Sequence, residues 1–113
     1  MLATLGQEAG QSWFTSQVDN LPATYLANTE NPGIGMDWVE ESFDDSTWEG
    51  GLYGVGYDTA SGGQSADALI ETEVAPGTLS VYTRARFHVR NANVLKQVAI
   101  AADWDDGFTA WIN

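Results

Sequence analysis

Residues 79–90 alternate with a period of two. Leu79, Val81, Thr83, Ala85, Phe87 and Val89 lie on one side, and Ser80, Tyr82, Arg84, Arg86, His88 and Arg90 on the other. Successive side chains of a strand point to opposite faces, whereas a helix brings its apolar positions together every three to four residues. The pattern therefore predicts a half-buried central strand, its odd-numbered residues inside and its arginine face open. An isolated strand is not stable, so the remaining chain must supply neighbours and a covering layer.

Further strand and turn signals supply them. Residues 12–15 read as a first short strand, 18–31 as a loop holding at most one short strand, and 31–35 as an Asn-Pro-Gly turn cluster. In residues 37–49 the spacing of Trp38, Phe43 and Trp48 fits neither helix nor strand. An extended approach is expected there, ending in a turn that tucks Trp48 inward, with Asp44 and Asp45 placed to cap it. The glycine-punctuated run 50–57 predicts a loop lying close against the core. It has no lysine and no following helix, which argues against a phosphate cradle. Residues 58–68 form a small, polar loop, 69–74 an edge element and 75–78 a turn. Asn91-Ala92-Asn93 turns into a strand over 94–102, and Asp105-Asp106-Gly107 has the chemistry of a tight hairpin turn. The returning strand, 108–112, is apolar and aromatic and runs to Asn113 without a cap. An unpaired strand leaves backbone groups open. The expectation is a single domain over residues 1–113: all-β, an antiparallel β-sandwich that lacks its last strand or strands.

Composition narrows the class of partner. Sixteen Asp and Glu against four Lys and Arg give a net charge of −12, and Arg84, Arg86, Arg90 and Lys96 are the only bases. Such a field disfavours nucleic acid and anionic membranes. With no cysteine, thiol catalysis, disulfides and thiolate-bound zinc are excluded. The residues opening the chain have neither the basic nor the apolar region of a signal peptide. His88 is the sole histidine and sits between arginines on the polar side of its strand, with no Ser or Asp placed to orient it, so no catalytic residue is assigned.

Two blocks together carry a family resemblance. Phe43-Asp44-Asp45-Ser46-Thr47-Trp48, followed by Gly50 and by Gly54-Val55-Gly56-Tyr57, resembles the motif of galactose-binding-like jelly-roll domains in secreted bacterial proteins. The arginine-bearing strand 82–89, followed by Asp105-Asp106-Gly107 and the strand ending at Asn113, resembles the second half of that pattern. The likeness covers roughly residues 36–113. It implies a jelly roll, an exported bacterial parent protein with an extracellular or cell-surface location, and a non-catalytic accessory role in binding carbohydrate or in adhesion. In that family the strand after the acidic turn continues into closing strands. The implied alternative is therefore the larger fragment of a split domain that captures a complementary C-terminal peptide by β-strand addition.

Candidate sites follow from both readings. Asp103, Asp105 and Asp106 suggest a calcium site, as do Asp44 and Asp45, although the spacing around Gly107 is not that of an EF-hand. The same acids also serve as turn and capping residues. Trp104 and Trp111 are candidate sugar-stacking platforms, with Arg84 and Arg86 as accompanying ligand contacts. Phe108, Ala110, Trp111, Ile112 and Asn113 form the expected edge for a partner strand.

Overall fold

The computed structural model describes residues 4–5, 14–15, 21–60, 65–87, 93, 100–101 and 107–113. Among them are eight strands: β1 (Thr4–Leu5), β2 (Phe14–Thr15), β3 (Pro22–Asn28), β4 (Glu49–Leu52), β5 (Val55–Gly56), β6 (Thr72–Glu73), β7 (Ser80–Arg84) and β8 (Ile100–Ala101). Two single 3-10 turns, Asp37–Val39 and Asp67–Leu69, are among the described residues. The chain is all-β.

The main sheet has the order β4-β3-β7 and is antiparallel throughout. Its centre is β3, in a stretch expected to be mostly loop. Thr24, Tyr25 and Leu26 are good strand residues, and Pro22 stands first in the strand, where its missing N–H is tolerated. Neighbours on both sides supply the hydrogen bonds that the local sequence does not advertise.

The strand expected over residues 79–89 is shorter and sits at the edge of this sheet among the described residues, not at its centre. Its predicted parity also fails. Leu79 is 77% exposed, while the side chain of Arg84 is only 13% exposed. Pairing decides this. Arg84 lies opposite Thr24 and Tyr82 opposite Leu26, so both residues occupy a face that another segment covers. His88, at the far end of the predicted strand, lies outside the described residues.

The opposite face holds the core, where Ala23, Tyr25, Tyr53 and Val74 are buried. The Tyr25 hydroxyl donates to Glu49 Oε2 at 2.8 Å. The Tyr53 hydroxyl and Thr83 Oγ1 share a hydrogen bond of 3.0 Å. Each tyrosine thus buries its ring while its polar tip keeps a partner.

Strands β5 and β6 pair in parallel, so the expectation of a purely antiparallel architecture is corrected there. The glycine run makes this crossing possible. A Cβ on Gly51 would lie 2.8 Å from Thr72 Oγ1, an atom already fixed by hydrogen bonds to the Leu52 N–H and carbonyl. Gly54 has φ +101°, and a Cβ there would lie 2.6 Å from the Leu69 carbonyl oxygen. Its own carbonyl accepts the N–H groups of Glu71 and Thr72. The run expected to be a loop instead holds most of β4 and all of β5, and its glycines serve close backbone packing, as expected. Strands β2, β1 and β8 form a second antiparallel sheet, in which β1 precedes the stretch read as the first strand.

Candidate functional site

Loop 36–48 crosses the face of the main sheet that carries Thr24, Tyr82 and Arg84, and one carboxylate fastens it. Asp45 is 6% exposed. Its Oδ2 accepts hydrogen bonds from Thr24 Oγ1 at 2.7 Å and from Arg84 Nε at 3.2 Å. Arg86 approaches both oxygens, with NH2 3.0 Å from Oδ1 and NH1 3.4 Å from Oδ2. A buried carboxylate is tolerated only with such compensation. Burial pushes its pKa up, but the hydrogen bonds from Thr24 and Arg86 and the charge of Arg86 outweigh that and hold it at about 2.

Arg84 fixes the loop from the other side. Its NH1 donates to the carbonyls of Trp38 and Glu40, which anchors the Asp37–Val39 turn to β7. Its guanidinium lies 5.3 Å from the centre of the Phe43 ring, within cation–π range. Phe43 and Arg84 come from the two separate blocks of the family resemblance, and so do Asp45 and Arg86. The structure brings those blocks into direct contact.

Above this hub runs a ladder of rings. Phe43 meets Trp48 at 5.6 Å, Trp48 meets Tyr82 at 6.5 Å, Tyr82 meets Trp38 at 5.0 Å, and Trp38 meets Trp111 at 5.0 Å. Most are edge-to-face contacts, the favoured geometry for aromatic quadrupoles. The inner rings are half-buried, and Trp48 turns inward as expected. Trp111 ends the ladder and is 43% exposed. Asn113 Nδ2 donates to the Val39 carbonyl, so this end of the chain rests on the same 3-10 turn.

Several expected site residues take different roles. Arg84 does not face solvent as a ligand contact, because its donors are directed at Asp45, Trp38 and Glu40. Arg86 is open, with a side chain 69% exposed, but its fork engages Asp45. Both oxygens of Asp45 are engaged by Thr24, Arg84 and Arg86. Asp44 serves as a turn residue: its Oδ1 accepts the Ser46 N–H at 3.0 Å, and the bonds with Ser46 lower its pKa. Among the described residues no three His, Cys, Asp or Glu are grouped to hold a metal. Trp104, Asp103, Asp105 and Asp106 lie outside the described residues.

The returning strand expected over residues 108–112 is not formed. Residues 107–113 are described, and none is in a strand. Trp111 spends one ring edge on Trp38.

Sequence reasoning missed Trp38, Tyr82 and Thr24 as members of this constellation. Asp45 and Arg84 are 39 positions apart, and no local periodicity connects them. The available signal was that the only cluster of bases shares a family pattern with the Asp-Asp pair. Compared with protein-family models, curated proteins and solved structures, the chain matched none. Among the described residues no helix is long and apolar enough to cross a membrane.

Proposed function

We propose that this chain is a non-catalytic carbohydrate-binding, adhesive module of galactose-binding-like jelly-roll type, belonging to an exported bacterial protein. The observation that carries the reading is Trp111: an indole 43% exposed, braced against Trp38 at 5.0 Å and 84°. A rigid, half-open indole is suited to stacking on the apolar face of a sugar ring at little entropic cost. The charged residues of the two family blocks support the same reading by their engagement with one another. Asp45, Arg84 and Arg86 act as a fastener for loop 36–48, which leaves ligand contact to the aromatic surface. The exported bacterial setting rests on the family resemblance alone.

Calcium belongs to this reading as a ligand of Asp103, Asp105 and Asp106, since Asp44 and Asp45 are otherwise engaged. A cation bound only by the folded state raises its melting temperature. Melting curves with calcium and with chelator should therefore separate, and superimposed curves would remove calcium from the assignment.

The function is tested by presenting the full chain to a broad glycan array beside Trp111→Ala. Binding of at least one glycan family by the parent, lost in the variant, is the expected result. A parent that binds no glycan, or a variant that binds equally well, overturns the proposal.

A further inference from the structure

The ring that the proposed function uses stands beside a strongly one-signed stretch of chain. Trp38, which braces Trp111, is followed and preceded by Asp37, Glu40, Glu41 and Asp44, all exposed, and residues 36–48 contain no base. Arg84 and Arg86 offset these charges only in part, because both are shared with Asp45 in the hub while the four exposed carboxylates have no base in the loop itself. The one carboxylate of the loop that is neutralised is Asp45. What faces solvent around the aromatic surface is therefore acidic, within a chain of net charge −12. Met36, 55% exposed, and Ile112, 46% exposed, add apolar area next to the rings.

An apolar ring and a negative field together select the occupant. A second copy of the chain carries the same −12 and is repelled, as are uronate or sulfated glycans. A neutral glycan would use the ring and draw nothing from the field. A β-linked glycan with free amino groups uses both: its ring hydrogens stack on the indole while its ammonium groups meet the carboxylates. We infer that the surface formed by Trp111 and the acidic loop 36–48 binds cationic amino-sugar chains, with β-1,4-linked glucosamine as the model ligand. This rests on the carbohydrate-binding reading above and names the class of sugar.

The experiment uses three hexamers with the same linkage and the same equatorial ring, differing only at C2: glucosamine, N-acetylglucosamine and glucose. Binding to the full chain is measured by titration calorimetry at mildly acidic pH and moderate salt. The glucosamine hexamer should bind about tenfold more tightly than either neutral hexamer, the sum of a few exposed charge contacts. Raising the pH until the amines lose their protons should remove the difference. Trp111→Ala should weaken glucosamine binding by about tenfold or more, as loss of an anchoring aromatic does. The double variant Glu40→Gln/Glu41→Gln should bring it down to the neutral level, while Glu73→Gln, on strand β6, should leave it unchanged. Circular dichroism of each variant establishes that it folds. Equal affinity for the three hexamers, with Trp111 still required, overturns the charge inference and leaves the carbohydrate-binding reading intact. Glucosamine binding indifferent to Trp111→Ala, or reduced equally by Glu73→Gln, shows a diffuse attraction to an acidic protein and overturns the site. Binding of none of the three while the array gives another Trp111-dependent glycan likewise overturns the inference but not the reading. An array with no glycan bound ends both.

Discussion

On one face of the β3-centred sheet, Ala23, Tyr25, Tyr53 and Val74 are buried and the two tyrosine hydroxyls each have a single neutral or charged partner. On the other, Thr24, Tyr82 and Arg84 meet loop 36–48 through a carboxylate that is 6% exposed and a ladder of half-buried rings. The first face is closed by area, the second by complementarity. Apolar burial degrades gradually, because each lost methylene removes a fraction of the whole. A buried ion cluster fails abruptly, because deleting one member leaves its partner charged and desolvated. The difference also bears on function. The ionic face holds a loop at a fixed height above the sheet, and that loop carries Trp38, which braces the exposed Trp111.

The contrast is most directly broken at Asp45. Asp45→Ala leaves Arg84 buried without its carboxylate and is expected to cost about 3–5 kcal/mol, read from denaturant unfolding. A loss below about 1 kcal/mol would show that the hub is not what closes this face. Adding Arg84→Ala to that variant should cost much less than either change made alone, since the two residues share one interaction.

The corresponding weak point of the other face is backbone space. Gly54→Ala places a Cβ against the Leu69 carbonyl at a φ of +101°. It should destabilise the fold by about 2–3 kcal/mol. Unchanged stability would mean that the 66–72 segment does not pack on this glycine.

Acid sharpens the comparison without mutation. The folded pKa of Asp45, about 2, lies below its ordinary value of 3.8. A depressed folded pKa stabilises the protein fully above the unfolded value, and that contribution is lost as pH falls through the folded one. The hub should therefore supply about 2 kcal/mol near neutrality that disappears between roughly pH 4 and pH 2. Stability measured against pH should be flatter over that window in Asp45→Ala than in the parent. Identical profiles would place the acid sensitivity elsewhere.

The smallest expected effect is Tyr53→Phe, which keeps the ring and removes only the hydrogen bond to Thr83. A loss of about 1 kcal/mol is expected. A cost approaching that of Asp45→Ala would erase the distinction between the faces.

Local chemistry was legible wherever the cause is local. The alternation around Val81 and Thr83 announced a strand, and the glycines at 51 and 54 announced close packing, although the run read as a loop holds β4 and β5. Asp44, whose partner is two residues away, was readable as a turn former, and Trp48 as an inward residue. Pro22–Asn28 was not legible as the central strand, because its stability comes from partners on both sides and its own composition resembles a loop. Nor was the fate of Arg84, since strand parity defines two faces but cannot say which of them another segment will cover.

By itself, then, the sequence determined an all-β chain with an acidic surface, for β-periodicity, turn residues and net charge act over a few positions or over the whole composition. Only the tertiary structure decided that Asp45 is a buried fastener, that Arg84 points into it, and that Trp111 rests on Trp38. Those roles depend on groups tens of residues apart meeting within hydrogen-bond or ring-contact distance, and burial, which turns an ordinary ion pair into a critical one, exists only once the chain has folded.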